Sequence, residues 1–230
     1  MNKYVLIVAG GKGLRMGGDL PKQFIPMRGK PLLMHTLEAF HRWDASARII
    51  LVLPEDHQPY WNMLCKEIGC KVPHAIVKGG DTRFFSVKNG LDWLLAERRR
   101  KGEEDSGLSL VAVHDGVRPF VSPEVVEACF AAVTGAVIPV VPMIDSLRET
   151  DEKGSHPVDR SRYMAVQTPQ VFHLELLTKA YEQPYSSLFT DDASVVEAMG
   201  HAIDTVPGDR ENIKITTPFD LLIAEAMFAR

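Results

Sequence analysis

Short apolar runs alternate along this chain with longer stretches of helical period. The runs fall at residues 4–9, 48–53, 74–77, 108–114 and 136–141, with a later one near 202–206. Several are continuous rather than alternating, as strands covered on both faces of a parallel sheet must be. Between them, Val87, Leu91, Leu94 and Leu95 share one face of a helix predicted over 86–97. Ser122-Pro123 reads as an N-cap followed by proline at the first helical position. Thr217-Pro218 repeats the device, and Asp220 adds negative charge to that helix's first turn. The β-α-β-α order predicts an α/β fold of Rossmann-like, doubly wound type with a mostly parallel sheet. One stretch, about 145–170, breaks the order: it carries charges, Gly154, Pro157 and Pro169, and no long amphipathic period. A segment of that length inside one domain is usually functional. It is expected to be a projecting arm, a hairpin packed on a partner subunit, with the rest of 1–230 forming a single domain.

Composition adds limits. At 230 residues, 45% hydrophobic and 24% charged, the chain can bury a sizeable core without staples. The three cysteines, Cys65, Cys70 and Cys129, cannot all pair, and Cys65 and Cys70 lack CxxC spacing. They are expected to be small buried or half-buried thiols in a reducing compartment. The run at 4–9 is too short for a membrane span and leads at once into glycines, so a cytoplasmic protein without anchor or secretion is expected. A net charge of −4 supplies no broad basic field for nucleic acid. The cations of any anionic ligand must therefore be placed locally. The run Arg98-Arg99-Arg100-Lys101 reads as a solvated helix terminus.

The candidate chemistry begins after the first strand, at Ala9-Gly10-Gly11-Lys12-Gly13-Leu14-Arg15-Met16-Gly17-Gly18 and then Pro21-Lys22-Gln23-Phe24. Open α/β sheets bind ligands at the carboxyl ends of their strands, and glycines there let backbone N–H groups approach an anion. Lys12, Arg15 and Lys22 would suit a triphosphate. Walker A fails because Asp19 stands where lysine should follow Gly18, and GxGxxG fails because Met16 occupies the third glycine position.

This loop resembles that of the nucleotidyltransferases that activate sugars and polyols. In detail the chain resembles the 2-C-methyl-D-erythritol 4-phosphate cytidylyltransferases of non-mevalonate isoprenoid synthesis. The likeness returns in Gly79-Gly80-Asp81-Thr82-Arg83-Phe84-Phe85-Ser86-Val87, Val113-His114-Asp115-Gly116-Val117-Arg118-Pro119-Phe120 and Val158-Asp159-Arg160. It continues through Gln167-Thr168-Pro169-Gln170, Thr190-Asp191-Asp192-Ala193-Ser194 and Asn212-Ile213-Lys214-Ile215-Thr216. The family's reaction is attack by a substrate phosphate on the α-phosphorus of a nucleoside triphosphate. Such a phosphate is already a nucleophile, so catalysis should rest on positioning and cations rather than on a general base.

The resemblance implies roles for residues of this sequence. Arg15 and Lys22 would stabilise charge at the α-phosphate, while Lys214 and Arg160 would hold the attacking phosphate. Ala9, Gly10, Gly11 and Gly13 would cradle the nucleotide, and Gly80, Asp81 and Ser86 would read and orient it. Asp115 would lie beside ribose and substrate, near Mg²⁺, and is favoured over His114, a strand-end histidine read as structural. Arg118, Ser146, Thr168 and Thr190 would surround the polyol phosphate, with Ser146 where the family often has threonine. The implied partners are CTP, a small polyol phosphate and a second copy of the chain, whose site Arg160 would reach. Mg²⁺ is the implied cofactor, since it screens a triphosphate while keeping water and phosphate ligands. Two alternatives stay open: a ribitol-5-phosphate cytidylyltransferase, which shares the glycine loop, PKQF and QTPQ, and a non-catalytic nucleotide-binding protein on the same fold.

Overall fold

The computed structural model describes residues 1–10, 20–103, 108–132 and 134–229. Four parallel strands, β6 (Ser109–Asp115), β1 (Asn2–Val8), β4 (Arg48–Leu53) and β5 (His74–Lys78), lie side by side in that order. Their crossovers carry helices α1 (Leu32–Trp43), α2 (Gln58–Ile68) and α3 (Arg83–Lys101), with a short antiparallel pair, β2 (Pro26–Met27) and β3 (Lys30–Pro31), before α1. Period-two alternation sorts β1 between two layers. Val5 and Ile7 pack with Leu33, Leu37 and Phe40 of α1 and Trp61 of α2. Tyr4, Leu6 and Val8 pack with Val87, Leu91 and Leu94 of α3. Both faces are covered, and this is why the strands read as continuous apolar runs.

On the other side of β6 the sheet turns mixed. β11 (Gln170–His173) runs antiparallel to β6 and to the start of β7 (Ala136–Pro142), which follows α4 (Pro123–Ala131). β10 (Met164–Val166) pairs antiparallel with the end of β7, and β12 (Asp204–Pro207) pairs parallel with it. Val137 pairs with both Val171 and Asp204, so β11 and β12 occupy opposite edges of β7. Helices α5 (Leu174–Ala180), α6 (Asp192–Glu197) and α7 (Pro218–Phe228) complete the chain.

The mostly parallel α/β sheet expected from the pattern is present, with differences at particular elements. The predicted helix at 86–97 is longer, because the Thr82 hydroxyl caps it by accepting the Phe85 amide. Of the basic run that ends it, Arg98 is buried rather than solvated. Its guanidinium donates to the Glu103 carbonyl and lies over the Tyr4 ring. The expected arm is shorter than 145–170. Its projecting part is a hairpin of β8 (Leu147–Asp151) and β9 (Gly154–Val158), while residues 164–166 and Gln170 belong to the main sheet. A three-residue strand with exposed Met164 and Val166 has too little apolar pattern to stand out in sequence. Thr217 and Asp220 form a full capping box at α7, beyond the charge effect expected of Asp220.

Candidate functional site

A cleft of about 240 Å³ opens at the carboxyl ends of β1 and β6. Ala9 and Gly10 form its floor at the end of β1, and Asp115 closes β6 beside it. Lys22 enters from a single turn over Lys22–Phe24, held by its neighbours in sequence. The buried Gln23 amide donates to the Ala9 carbonyl at 3.0 Å and meets His57 Nδ1 at 3.2 Å, and the Phe24 ring stacks on Trp61. Lys22 is thereby tied both to the strand that bears the glycine loop and to α2.

The turn between β5 and α3 supplies the opposite wall through Gly80, Asp81, Thr82, Arg83 and Ser86. The Gly80 amide donates to the Ser86 hydroxyl at 3.1 Å, and that hydroxyl donates to the Thr82 carbonyl at 2.9 Å. A Cβ on Gly80 would sit 2.4 Å from Phe85 Cβ and 2.9 Å from its carbonyl carbon, so only glycine lets the turn close onto the helix. Ser86 thus holds the turn that faces the cleft.

Charge gathers on Asp115. Lys214 Nζ lies 2.9 Å from its carboxylate, Arg118 Nε 3.3 Å and Arg83 Nε 3.8 Å. Burial alone would raise the Asp115 pKa, but Arg83, Lys214 and Arg118 together hold it well below the usual carboxylate range. Arg83 has a second anchor. Its guanidinium forks onto the fully buried Asp192 at 3.0 and 2.6 Å, and Asp192 also accepts the Tyr181 hydroxyl at 2.6 Å. Burial works against the Arg83 charge, yet the Asp192 and Asp115 carboxylates raise its pKa overall. Burial and the Asp192 charge push the Tyr181 hydroxyl well above its ordinary value.

Behind Asp115, the QTPQ segment fastens three loops to one another. The Thr168 hydroxyl accepts the Asp115 amide at 3.1 Å and lies 3.0 Å from His114 Nδ1. His114 Nε2 is 3.1 Å from the Arg118 carbonyl, which can only accept. Nε2 therefore carries the proton, Nδ1 accepts, and Thr168 donates to it. Full burial depresses the His114 pKa to about 4, so the ring is neutral and both nitrogens are engaged. Gln167 brackets the backbone of Asp209, donating to its carbonyl and accepting from its amide. Asn212 donates to the Thr168 carbonyl, while Arg118 Nη1 donates to the Asn212 carbonyl at 2.7 Å. These bonds, with Ile215 buried against Val117, aim Lys214 at Asp115 from a distant part of the chain. Gln170 fastens the third loop, donating to Asp191 and accepting the Ala193 amide.

Of the residues expected from sequence, Ala9, Gly10, Lys22, Gly80, Asp81, Ser86, Asp115 and Lys214 line the cleft together. Arg118 and Thr168 stand at Asp115, Thr168 with its hydroxyl spent on Asp115 and His114. Gly11, Gly13 and Arg15 lie outside the described residues. Ser146, Arg160 and Thr190 are exposed and are not part of the cleft wall. The Arg160 guanidinium instead donates to the Ile144 carbonyl at the base of the arm. The sequence reading did not single out Arg83, Gln23 or Asp192. Arg83 and Asp192 sit inside motifs already noted, but their pairing spans more than a hundred residues and leaves no local signal.

Asp115 was also the candidate metal ligand. Its oxygens face three cations, and among the described residues no group of three or more His, Cys, Asp or Glu side chains could hold a metal ion. The donor set does not fit a protein-built Mg²⁺ cage.

A family model described as 2-C-methyl-D-erythritol 4-phosphate cytidylyltransferase matches residues 4–230. A protein of that name from Bacteroides fragilis is 56% identical over 229 residues, 99% of this chain and 100% of its own length. One from Bacillus licheniformis is 40% identical, covering 99% of this chain and 96% of its own. Among solved structures, the Thermus thermophilus cytidylyltransferase of the same name superposes with a TM-score of 0.73 at 32% identity, with both chains covered completely. The 4-diphosphocytidyl-2C-methyl-D-erythritol synthase of Anaerococcus prevotii gives 0.79 at 28% identity, over 100% of this chain and 96% of that one.

Proposed function

The chain belongs to the 2-C-methyl-D-erythritol 4-phosphate cytidylyltransferase family, and on that premise we propose how its cleft divides the work. The enzyme transfers CMP from CTP to 2-C-methyl-D-erythritol 4-phosphate, releasing pyrophosphate, in isoprenoid biosynthesis. The ribitol 5-phosphate alternative is not favoured. The observation that carries the proposal is the convergence of Lys22, Arg83 and Lys214, from three separate parts of the chain, on one cleft around Asp115.

The nucleophile is a phosphate oxygen of the substrate, which needs no base. Asp115 is held ionised among cations, and His114 behind it is buried, neutral and fully bonded. What the reaction requires is to bring two anions together and to hold the charge that grows on the α-phosphate and the leaving pyrophosphate. Ala9, Gly10 and the glycine loop with Gly11, Gly13 and Arg15 receive the triphosphate, while Lys22 supplies a point charge at the α-phosphate. Gly80, Asp81 and Ser86 form the rigid turn that takes the nucleoside. Asp115 keeps Lys214 and Arg118 paired and oriented until substrate arrives. Lys214, whose side chain is 42% exposed, is free to swing from Asp115 onto the incoming phosphate. Arg118 stays with Asp115 as a fixed positive wall. Thr168 positions Asp115 and His114, and Thr190 and Ser146 contribute polar groups toward the polyol.

Mg²⁺ would be held by the triphosphate and water rather than by a set of protein carboxylates, and would screen the phosphate charge that Lys22 and Lys214 also face. The chain acts as one domain in the cytoplasm, and no helix among the described residues is long and apolar enough to cross a membrane. The arm carries Arg160 to the cleft of a second copy, making a homodimer with shared sites. In support, Arg160 does not line the cleft of its own chain. Arg160→Ala and Lys22→Ala proteins, each inactive alone, recover part of the activity after subunit exchange; no recovery under demonstrated exchange refutes sharing. The first assay of the function is pyrophosphate release from CTP with methylerythritol 4-phosphate and ribitol 5-phosphate side by side. Release with the first and little with the second is expected, and the reverse overturns the assignment of substrate.

A further inference from the structure

Helix α2 ends in a turn that brings two thiols together. Its cap is Gly69, in the left-handed region at φ 75°, and the Cys70 amide donates to the Cys65 carbonyl at 2.9 Å. This is the six-to-one bond of a Schellman motif, in which the side chains of the residue after the glycine and of the third residue from the helix end pack against each other. Here those two residues are Cys65 and Cys70. Their five-residue separation lacks the CxxC spacing of redox pairs, yet the left-handed turn supplies the closeness that CxxC obtains from a helix start. The two thiols influence each other's ionisation across this turn. Both cysteines are half-buried, packed on the core beneath and flanked by exposed Lys66, Glu67, Ile68 and Lys71.

We propose that Cys65 and Cys70 form a reversible intrachain disulfide site, oxidised by hydrogen peroxide, at a turn separate from the nucleotide cleft. Cys70 is the nucleophile: its interaction with Cys65 across the turn holds its thiol below the ordinary cysteine range, and the same interaction, with burial, raises that of Cys65. The Cys70 thiolate attacks one peroxide oxygen, forming S–O and breaking O–O, and the departing hydroxide is protonated to water. The Cys65 sulfur then attacks Cys70, forming S–S and breaking S–O, and the released hydroxide leaves as water with the Cys65 proton. Two thiols are oxidised by two electrons while one peroxide is reduced to two waters. Cys129 supplies an internal contrast: it is fully buried, and burial alone pushes its thiol up to about 12.

The test treats the intact folded enzyme with hydrogen peroxide, blocks remaining thiols with iodoacetamide after denaturation, and maps peptides by mass spectrometry. The expected product has lost two hydrogens, links the Cys65 and Cys70 peptides within one chain, leaves Cys129 alkylated, and returns to the starting mass with dithiothreitol. Cys65→Ser should stop at a sulfenic acid on Cys70 that dimedone traps, while Cys70→Ser should react roughly tenfold more slowly, as loss of the more readily ionised thiol implies. The proposal is overturned if both thiols remain alkylatable when peroxide has begun to oxidise Cys129 or methionine. It is overturned equally if the disulfide formed joins two chains.

Discussion

Replacing Thr168 with valine keeps the shape of a buried side chain and removes one hydroxyl. That oxygen accepts the Asp115 amide at 3.1 Å and donates to His114 Nδ1 at 3.0 Å, and both partners are themselves buried. Leaving a buried donor or acceptor unmatched costs about 1–3 kcal/mol, so two such losses put the expected destabilisation at about 3 kcal/mol. In a chain of this size each kcal/mol lowers the melting temperature by about 2–4 °C, which gives a drop of about 6–12 °C. Thr168→Ser keeps the hydroxyl and loses one methyl, a change of about 1 kcal/mol. Urea denaturation and thermal melts of the three proteins near neutral pH measure both numbers. The kinetics should follow, because a displaced Asp115 no longer holds Lys214 and Arg118, and kcat/KM of the valine variant should fall more than that of the serine variant. A valine variant within about 0.5 kcal/mol of wild type, the range of an ordinary surface change, would refute the reasoning. Thr168 would then act on the ligand alone.

Three further outcomes follow from the same geometry. Burial holds the folded-state His114 pKa at about 4 against an ordinary 6.5, so the unfolded chain binds the extra proton first and stability falls as pH drops from 6.5 toward 4. Between pH 7 and pH 5 its share is about 2 kcal/mol, read by urea denaturation at the two pH values. His114→Gln should flatten the slope in part, since His35 and His74, also lowered by burial, act in the same direction. Asp192→Asn removes the charge opposite the forked Arg83 guanidinium and should cost about 3–5 kcal/mol in the same assay, whereas an unchanged midpoint would mean that the pair contributes little. Lys214→Ala should lower kcat/KM about 100-fold with the unfolding midpoint nearly unchanged, because the side chain is half-exposed; a loss of stability instead would assign it a structural role.

Much of the architecture is legible along the chain because its causes are local or periodic. Strands covered on both faces must be apolar throughout, so β1, β4 and β6 stand out as continuous runs. Caps such as Ser122-Pro123 and Thr217-Pro218 act within one turn and can be read from adjacent residues. The glycine-rich stretch after β1 and the motifs around Gly80, Asp115 and Lys214 mark where ligand chemistry belongs, and the cleft gathers the described residues of each. Tertiary structure decided what depends on contacts between distant segments. Asp115 is an anion at the centre of a cation cluster, because Arg83, Arg118 and Lys214 reach it from separate segments of the chain. Thr168 and Gln167 serve as ties because the antiparallel return of β11 lays them against β6 and the loop before α7. Cys65 and Cys70 meet through a left-handed glycine, a backbone state that thiol spacing does not encode. Periodicity and capping are written over a few residues, whereas the partner of a buried charge or hydroxyl is set only when strands from different parts of the chain pair.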